Sequence, residues 1–263
     1  MLGAIIGDIV GSRFEMNNHK SKEFELFNYE CEFTDDTAMT IAICKAFLNS
    51  KDDFSDLSEK AVSCMQEIGR KYEYVGYGED FFYWLFEKHP KPYNSWGNGA
   101  VMRVSPVAYV ANSIEKVKEL SKKVTEVTHN HEEALKGAEA VSIAIFMARN
   151  KRTKEEIKEY ITSNYYKEEK TVKELQNSYK FDVSTQGSVP QALQCFYESV
   201  DFEDCIRNAI SIGGDSDTIA AIAGSIAGAY YIIPDNIKNT AIFYLPKEFI
   251  KVIEEFEIKY KLG

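Results

Sequence analysis

The sequence predicts an all-α protein folded as one compact helical bundle, and three observations carry the prediction. Apolar residues recur at helical spacing, helix starts carry side chains suited to capping, and runs with the alternation of a strand are scarce. A length of 263 residues admits one large domain or two small ones. No long linker, low-complexity tract or fixed-period repeat divides the chain, so residues 1–263 read as a single domain with short connections.

The first element is the glycine-spaced segment Gly3-Ala4-Ile5-Ile6-Gly7-Asp8-Ile9-Val10-Gly11-Ser12-Arg13-Phe14-Glu15. Gly3, Gly7 and Gly11 form a smooth stripe on one helix face, which lets another helix approach closely. Glu15 emerges at the end of that stripe and, taken alone, reads as a surface residue. A second helical run covers residues 38–48. Farther on, Tyr77, Phe81, Phe82, Tyr83 and Trp84 are dense enough either to join the core or to wall a pocket. Asn130 with Glu133, Thr153 with Glu156, and Thr171 with Glu174 read as capping boxes or their Asn variant, each opening a helix. Residues 151–180 are rich in Lys and Glu and poor in large aliphatics, the pattern of a solvated outer helix pair.

From Asp201 the apolar Phe202, Cys205, Ile206, Ala209 and Ile210 repeat with helical period, behind an acidic first turn of Asp201, Glu203 and Asp204. This amphipathic helix ends at Gly213-Gly214. The next runs from Ile219 to Tyr231, rich in Ala and spaced by Gly224 and Gly228. Its apolar stretch, residues 219–234, falls short of the roughly 20 residues that cross a bilayer and reads as a buried helix.

Composition narrows the function classes. A hydrophobic share of 44% supplies core enough that no disulfide or structural zinc is needed. Cys31, Cys44, Cys64, Cys195 and Cys205 are odd in number and lack Cys-x-x-Cys spacing, which fits reduced thiols in the cytoplasm. Met1-Leu2-Gly3-Ala4 has no basic lead and Asp8 interrupts the apolar stretch, so export is not expected. A net charge of −10 disfavours a nucleic-acid backbone as main partner, and a membrane is not indicated.

Two segments place aspartates where helices begin: Phe33-Thr34-Asp35-Asp36-Thr37 and Gly213-Gly214-Asp215-Ser216-Asp217-Thr218. Free amides at a helix start favour carboxylates, and one aspartate there would be an ordinary cap. Brought together, these carboxylates would repel, by about 4 kcal/mol for charges about 4 Å apart at an effective dielectric near 20. Something positive must then hold them, and no basic residue lies in either segment. Carboxylates with the hydroxyls of Thr34, Thr37 and Thr218 suit magnesium or manganese better than zinc. The alternative is that each segment is only a capped helix start and the two never meet. An EF-hand is excluded, because Ile219 and Ile226 fall where oxygen ligands are required.

The segment Ser95-Trp96-Gly97-Asn98-Gly99-Ala100-Val101-Met102-Arg103-Val104-Ser105-Pro106 sets glycines and an amide ahead of an apolar helical stretch. It reads either as a tight turn or as a phosphate cradle, without the third glycine of a dinucleotide fingerprint or the lysine of a P-loop. His129 and His131 open another helix, as structural residues or ligand contacts. No Gly-x-Ser-x-Gly elbow is present, which gives serine-nucleophile chemistry little support.

Taken in order, these segments resemble the ADP-ribosylglycohydrolase family, including the dinitrogenase-reductase-activating glycohydrolases. The resemblance is carried by Gly7-Asp8 through Glu15, Phe33 to Thr37, Gly97 to Pro106, Thr128 to His131, and Gly213 to Thr218, and it runs nearly end to end. It implies an orthogonal all-α bundle with two divalent cations, Mg2+ or Mn2+, and a cleft for ADP-ribose linked through its anomeric carbon to a protein or other acceptor. It further implies Thr34, Asp35, Asp36, Asp215, Asp217 and Thr218 as metal ligands, and Glu15, Asp36 and Asp215 as catalytic residues. Gly97, Asn98 and Gly99 would face the diphosphate, with Ala100, Met102, His129 and His131 as further substrate-binding residues. The competing class is a non-catalytic ADP-ribose binder or an immunity-type protein that neutralises an ADP-ribosyltransferase.

Overall fold

The computed structural model describes residues 1–167 and 170–261. Helices follow one another along the chain: α1 (Leu2–Gly11), α2 (Asp35–Asn49), α3 (Leu57–Lys71), α4 (Glu79–Phe86), α5 (Val107–Val110), α6 (Ile114–Thr125) and α7 (Glu132–Arg149). They continue with α8 (Lys154–Asn164), α9 (Val172–Ser178), α10 (Thr185–Glu198), α11 (Phe202–Ser211), α12 (Ser216–Tyr230), α13 (Asp235–Ile242) and α14 (Lys247–Tyr260). Among the described residues there is no strand, and one antiparallel bridge joins Gly97 to Ser184. The all-α expectation holds.

The centre of the bundle is the contact of α1 with α12, made backbone against backbone. A Cβ added to Gly3 would stand 2.1 Å from the Gly224 carbonyl oxygen, and one added to Gly7 would stand 2.1 Å from that of Ala220. At the far end a Cβ on Gly11 would stand 2.4 Å from the Asp217 Cα. The pairing runs antiparallel, so the C-terminus of α1 meets the N-terminus of α12. The glycine stripe read from sequence is thus answered by a second small-residue face, Ala220, Gly224 and Gly228, on the partner helix. Helices α7, α10 and α11 pack behind α12, and α2 lies across α1.

Two of the three expected capping boxes form, at Thr153 with Glu156 and Thr171 with Glu174. The one at Asn130 does not. Helix α7 starts one residue later, capped by His131, whose Nδ1 accepts from the Glu133 N–H at 3.2 Å. The Asn130 amide oxygen instead accepts from the Asn94 N–H at 2.8 Å, tying two loops together. The apolar stretch expected after Gly99 is a 3-10 turn, Asn98–Ala100, followed by the short α5. The aromatic cluster divides: Phe81 and Trp84 are buried and stacked at 5.4 Å, while Tyr83 faces solvent.

Because the atom that would meet a Gly7 side chain is a helix carbonyl, neither partner can rotate aside. Gly7→Ala should therefore destabilise the fold by about 3 kcal/mol, the upper end for an overpacked core. Thermal or urea unfolding measures this, and an unchanged midpoint would contradict the close apposition.

Candidate metal centre and cleft

The antiparallel contact decides where the acidic residues go. Glu15 follows a 3-10 turn, Ser12–Phe14, that prolongs α1, and Asp215 and Asp217 sit at the start of α12. Their carboxylate oxygens come within 4.8 Å of one another. Gly213 and Gly214, at φ +68° and +81°, turn the chain sharply ahead of Asp215 in a backbone region that glycine adopts without strain. Asn18 clamps that turn, accepting from the Gly214 N–H at 2.6 Å and donating to its carbonyl at 3.0 Å.

The second acidic segment joins the first directly. Thr218 Oγ1 donates to Asp36 Oδ2 at 3.0 Å, linking the starts of α12 and α2. Thr34 caps α2, its Oγ1 accepting from the Asp36 N–H at 3.3 Å. Asp36, Asp215, Asp217 and Thr218 are all buried, while Thr34, Asp35 and Glu15 are partly exposed. The spatial convergence of both segments with Glu15 is therefore present in the fold.

Asp8 is the residue that sequence reading passed over. Fully buried in α1, it accepts from the Thr34 N–H and the Thr37 N–H, each at 3.0 Å, and from Thr34 Oγ1 at 2.6 Å. It serves as a cap for α2 donated by another helix. The available signal was a carboxylate amid glycines and isoleucines, which a buried helix tolerates only when the charge is hydrogen-bonded.

The carboxyl groups are held at raised proton affinity. Burial is the first cause throughout, and neighbouring carboxylates add to it: Asp8 at Asp35 and Asp36, and Asp215 at Asp217. Asp8 itself is pushed up to about 6, and Glu15 and Asp215 are raised as well, by burial first. Among the described residues, Arg103 alone of the Lys and Arg side chains lines the adjoining cavity, and its guanidinium binds Thr128 rather than a carboxylate. Asp36 Oδ1 is buried without a hydrogen-bond partner.

That cavity measures about 290 Å³. Besides the carboxylates its lining includes Gly97, Asn98, Gly99 and Met102, with His129 against the glycines. The loop is pinned by the Asn98 N–H to the Val183 carbonyl at 2.8 Å and by Thr185 Oγ1 to the Gly97 carbonyl at 2.9 Å. The Asn98 side-chain amide reaches across to donate to Asp215 Oδ2 at 2.6 Å and to Ser188 Oγ at 3.0 Å. Of the residues expected at the ligand, Ala100 is fully buried behind the loop and His131 is occupied capping α7, and neither lines the cavity. A larger groove of about 930 Å³, lined by Lys136, Tyr165 and Tyr179 among others, contains none of the clustered carboxylates. The clustered carboxylates line the smaller cavity.

The sequence model of the ADP-ribosylglycohydrolase family matches residues 1–244. ADP-ribosylhydrolase ARH3 of Mus musculus is 25% identical over 312 residues, covering 88% of this chain and 82% of its own. ADP-ribosylarginine hydrolase Tri1 of Pseudomonas putida is 24% identical over 264 residues, covering 88% of this chain and 69% of its own. A solved structure described as an ADP-ribosylglycohydrolase-related protein complex superposes with a TM-score of 0.71 at 20% identity, over 97% of this chain and 95% of that one, and shows the same fold. With the family match covering all of the bundle but its last helix, and an acidic centre where its helices converge, this chain belongs to the ADP-ribosylglycohydrolase family, hydrolases of glycosyl bonds.

Proposed function

We propose that the chain, acting as one domain, hydrolyses the N- or O-glycosidic bond between ADP-ribose and an acceptor, a protein side chain or other group, and releases ADP-ribose. The observation that carries this reading is the convergence on one cavity of Glu15, just beyond α1, with the carboxylates at the starts of α2 and α12, none of them paired with a Lys or Arg among the described residues. The donor set fits two divalent cations, Mg2+ or Mn2+. It is all oxygen, its charges repel, and Asp36 Oδ1 is left unsatisfied in the interior. Thr34, Asp35, Asp36, Asp215, Asp217 and Thr218 would hold them, with Glu15 alongside. Such cations supply Lewis acidity and a lowered water pKa when bound.

The chain's own groups do the rest. Water adds to the anomeric carbon, the bond to the acceptor breaks with its electron pair leaving on the acceptor, and the acceptor takes up a proton. Glu15 suits the role of base for the attacking water. It borders the cavity, and burial and the nearby Asp215 charge raise its proton affinity. Asp36 and Asp215 steady the positive charge that develops on the ribose. Asn98 fixes the Asp215 carboxylate, and the glycine loop offers a side-chain-free surface to the diphosphate. The five buried, unpaired cysteines suit a reducing compartment such as the cytoplasm, and no described helix is long and apolar enough to cross a membrane.

ADP-ribosylated arginine, serine, nucleobase and small-molecule substrates should be offered with and without chelator. Released ADP-ribose is expected from at least one, and only without chelator. Asp215→Asn and Asp217→Asn should each lower turnover at least about 100-fold and weaken Mn2+ binding in a calorimetric titration. Full activity in either variant contradicts the assignment.

Asp8→Asn places an NH2 group against donors. It should cost about 10- to 100-fold in Mn2+ affinity through the misplaced Thr34-Asp35-Asp36 turn, in a chain that still folds. Unaltered affinity would remove Asp8 from the site.

The raised carboxyl groups also set a pH response. At these carboxyl groups the folded, metal-free protein binds more protons than the unfolded chain, so their contribution to stability is complete below the ordinary carboxylate range near about 4. It is lost as pH rises through the raised values, about 6 for Asp8. The buried Met1 amino group, lowered to about 5, and His129 oppose this trend, so the readout is the gain in melting temperature on adding Mg2+, which should grow as pH rises from about 4 through 6. A metal-induced gain that is flat with pH would contradict this.

A further inference from the structure

Behind the glycine loop lies a chain of three buried polar side chains that the hydrolytic chemistry above does not use. The Arg103 guanidinium, 1% exposed, donates to Thr128 Oγ1 at 2.6 Å. The same oxygen stands 2.8 Å from His129 Nδ1. Thr128 is fully buried and His129 is 5% exposed.

The protons in this chain can be placed by counting. A threonine hydroxyl has one hydrogen, and since Thr128 accepts from Arg103, that hydrogen must go to another acceptor. Two are within reach: His129 Nδ1 at 2.8 Å and the Thr125 carbonyl at 3.4 Å. The carbonyl already accepts from the backbone N–H of Thr128 at 3.2 Å and of His129 at 3.0 Å, so both of its lone pairs are engaged. At 2.8 Å against 3.4 Å, Nδ1 is the nearer and less engaged acceptor for that hydrogen. A neutral imidazole that accepts at Nδ1 carries its proton on Nε2. Burial, with the Arg103 charge adding to it, holds the His129 pKa well below the usual histidine range, so the ring stays neutral.

Nε2 faces the loop. A Cβ on Gly99 would lie 3.3 Å from it and one on Gly97 3.8 Å, so the absence of side chains there leaves the nitrogen access to the cavity. Its neighbour Tyr93 packs against the ring at a tilt, with centroids 5.7 Å apart, and does not hydrogen-bond it. None of the described hydrogen bonds uses Nε2, so a buried ring turns an unpaired N–H toward the ligand space.

We infer that Arg103 and Thr128 are positioning residues that lock His129 as the Nε2–H tautomer, making it a hydrogen-bond donor to an acceptor oxygen of the ligand lying against the 97–99 loop. That the ligand is ADP-ribose rests on the function proposed above; the tautomer does not.

Long-range proton–nitrogen correlation NMR on histidine-labelled protein reads the tautomer directly, and His129→Gln identifies which of the four histidines gives the signal. The parent should show a protonated Nε2 and a hydrogen-bonded, unprotonated Nδ1. Thr128→Val should move the Nδ1 resonance to that of a free acceptor, and Thr128→Ser should restore it. In ADP-ribose titrations, His129→Leu and Thr128→Val should each weaken binding about ten-fold, the worth of one hydrogen bond. His129→Gln, which keeps a donor, and Thr128→Ser should stay near the parent. A protonated Nδ1 in the parent, or a doubly protonated ring, overturns the inference, as does a Thr128→Val spectrum like the parent's. If the parent binds no ADP-ribose, the functional reading fails while the spectrum still decides the tautomer.

Discussion

The close apposition of α1 and α12 is the constraint on which the site depends. Only glycine or alanine at the crossing lets the two backbones approach so nearly, and only the antiparallel sense sets the end of one helix beside the start of the other. Glu15 and the Asp215-Ser216-Asp217 turn are neighbours for that reason, although two hundred residues (Glu15 to Asp215) separate them in sequence. Packing driven by apolar burial is thus what forces the carboxylates together. Their mutual repulsion opposes the fold locally and is tolerated because so much of both helices is buried in the same contact.

A charge cluster held against its own repulsion needs rigid support, and the supports come from outside the cluster. Asp8 fixes the start of α2 from α1, Asn18 fixes the glycine turn ahead of α12, and Asn98 fixes the Asp215 carboxylate from the glycine loop. Each is a polar side chain on a different element, and each bonds the backbone or carboxylate of a segment it does not belong to. Preorganisation of this kind keeps the oxygen donors in place, as the cation binding proposed above would require.

Much of this was legible in the sequence, and the reason differs by residue. The glycine stripe and the aspartates at helix starts are local patterns whose physical meaning does not depend on distant partners, so Gly3, Gly7, Gly11, Asp35 and Asp215 could be read directly. Asp8 looked like a break in an apolar run because its partners, Thr34 and Thr37, are supplied by another helix. Asn130 looked like a cap because it precedes a glutamate by three residues, yet the adjacent His131 has a ring nitrogen that can accept and its position is the extended one. Arg103 gave no sign at all. An arginine inside an apolar stretch becomes informative only when its guanidinium is seen buried against Thr128.

The two walls of the cavity differ in the sense of their hydrogen bonding. One presents acceptors: the carboxylates of Asp35, Asp36, Asp215, Asp217 and Glu15. The other presents a donor, by the argument from Thr128 the Nε2–H of His129, with the Arg103 charge beside it. A ligand satisfies both walls only if it carries hydroxyls or coordinated cations on one side and acceptor oxygens on the other. ADP-ribose has this polarity, with ribose hydroxyls at one end and a diphosphate beside them. A simple phosphate ester or an apolar ligand would leave one wall unpaired in a buried space, at a cost of about 1–3 kcal/mol for each stranded group.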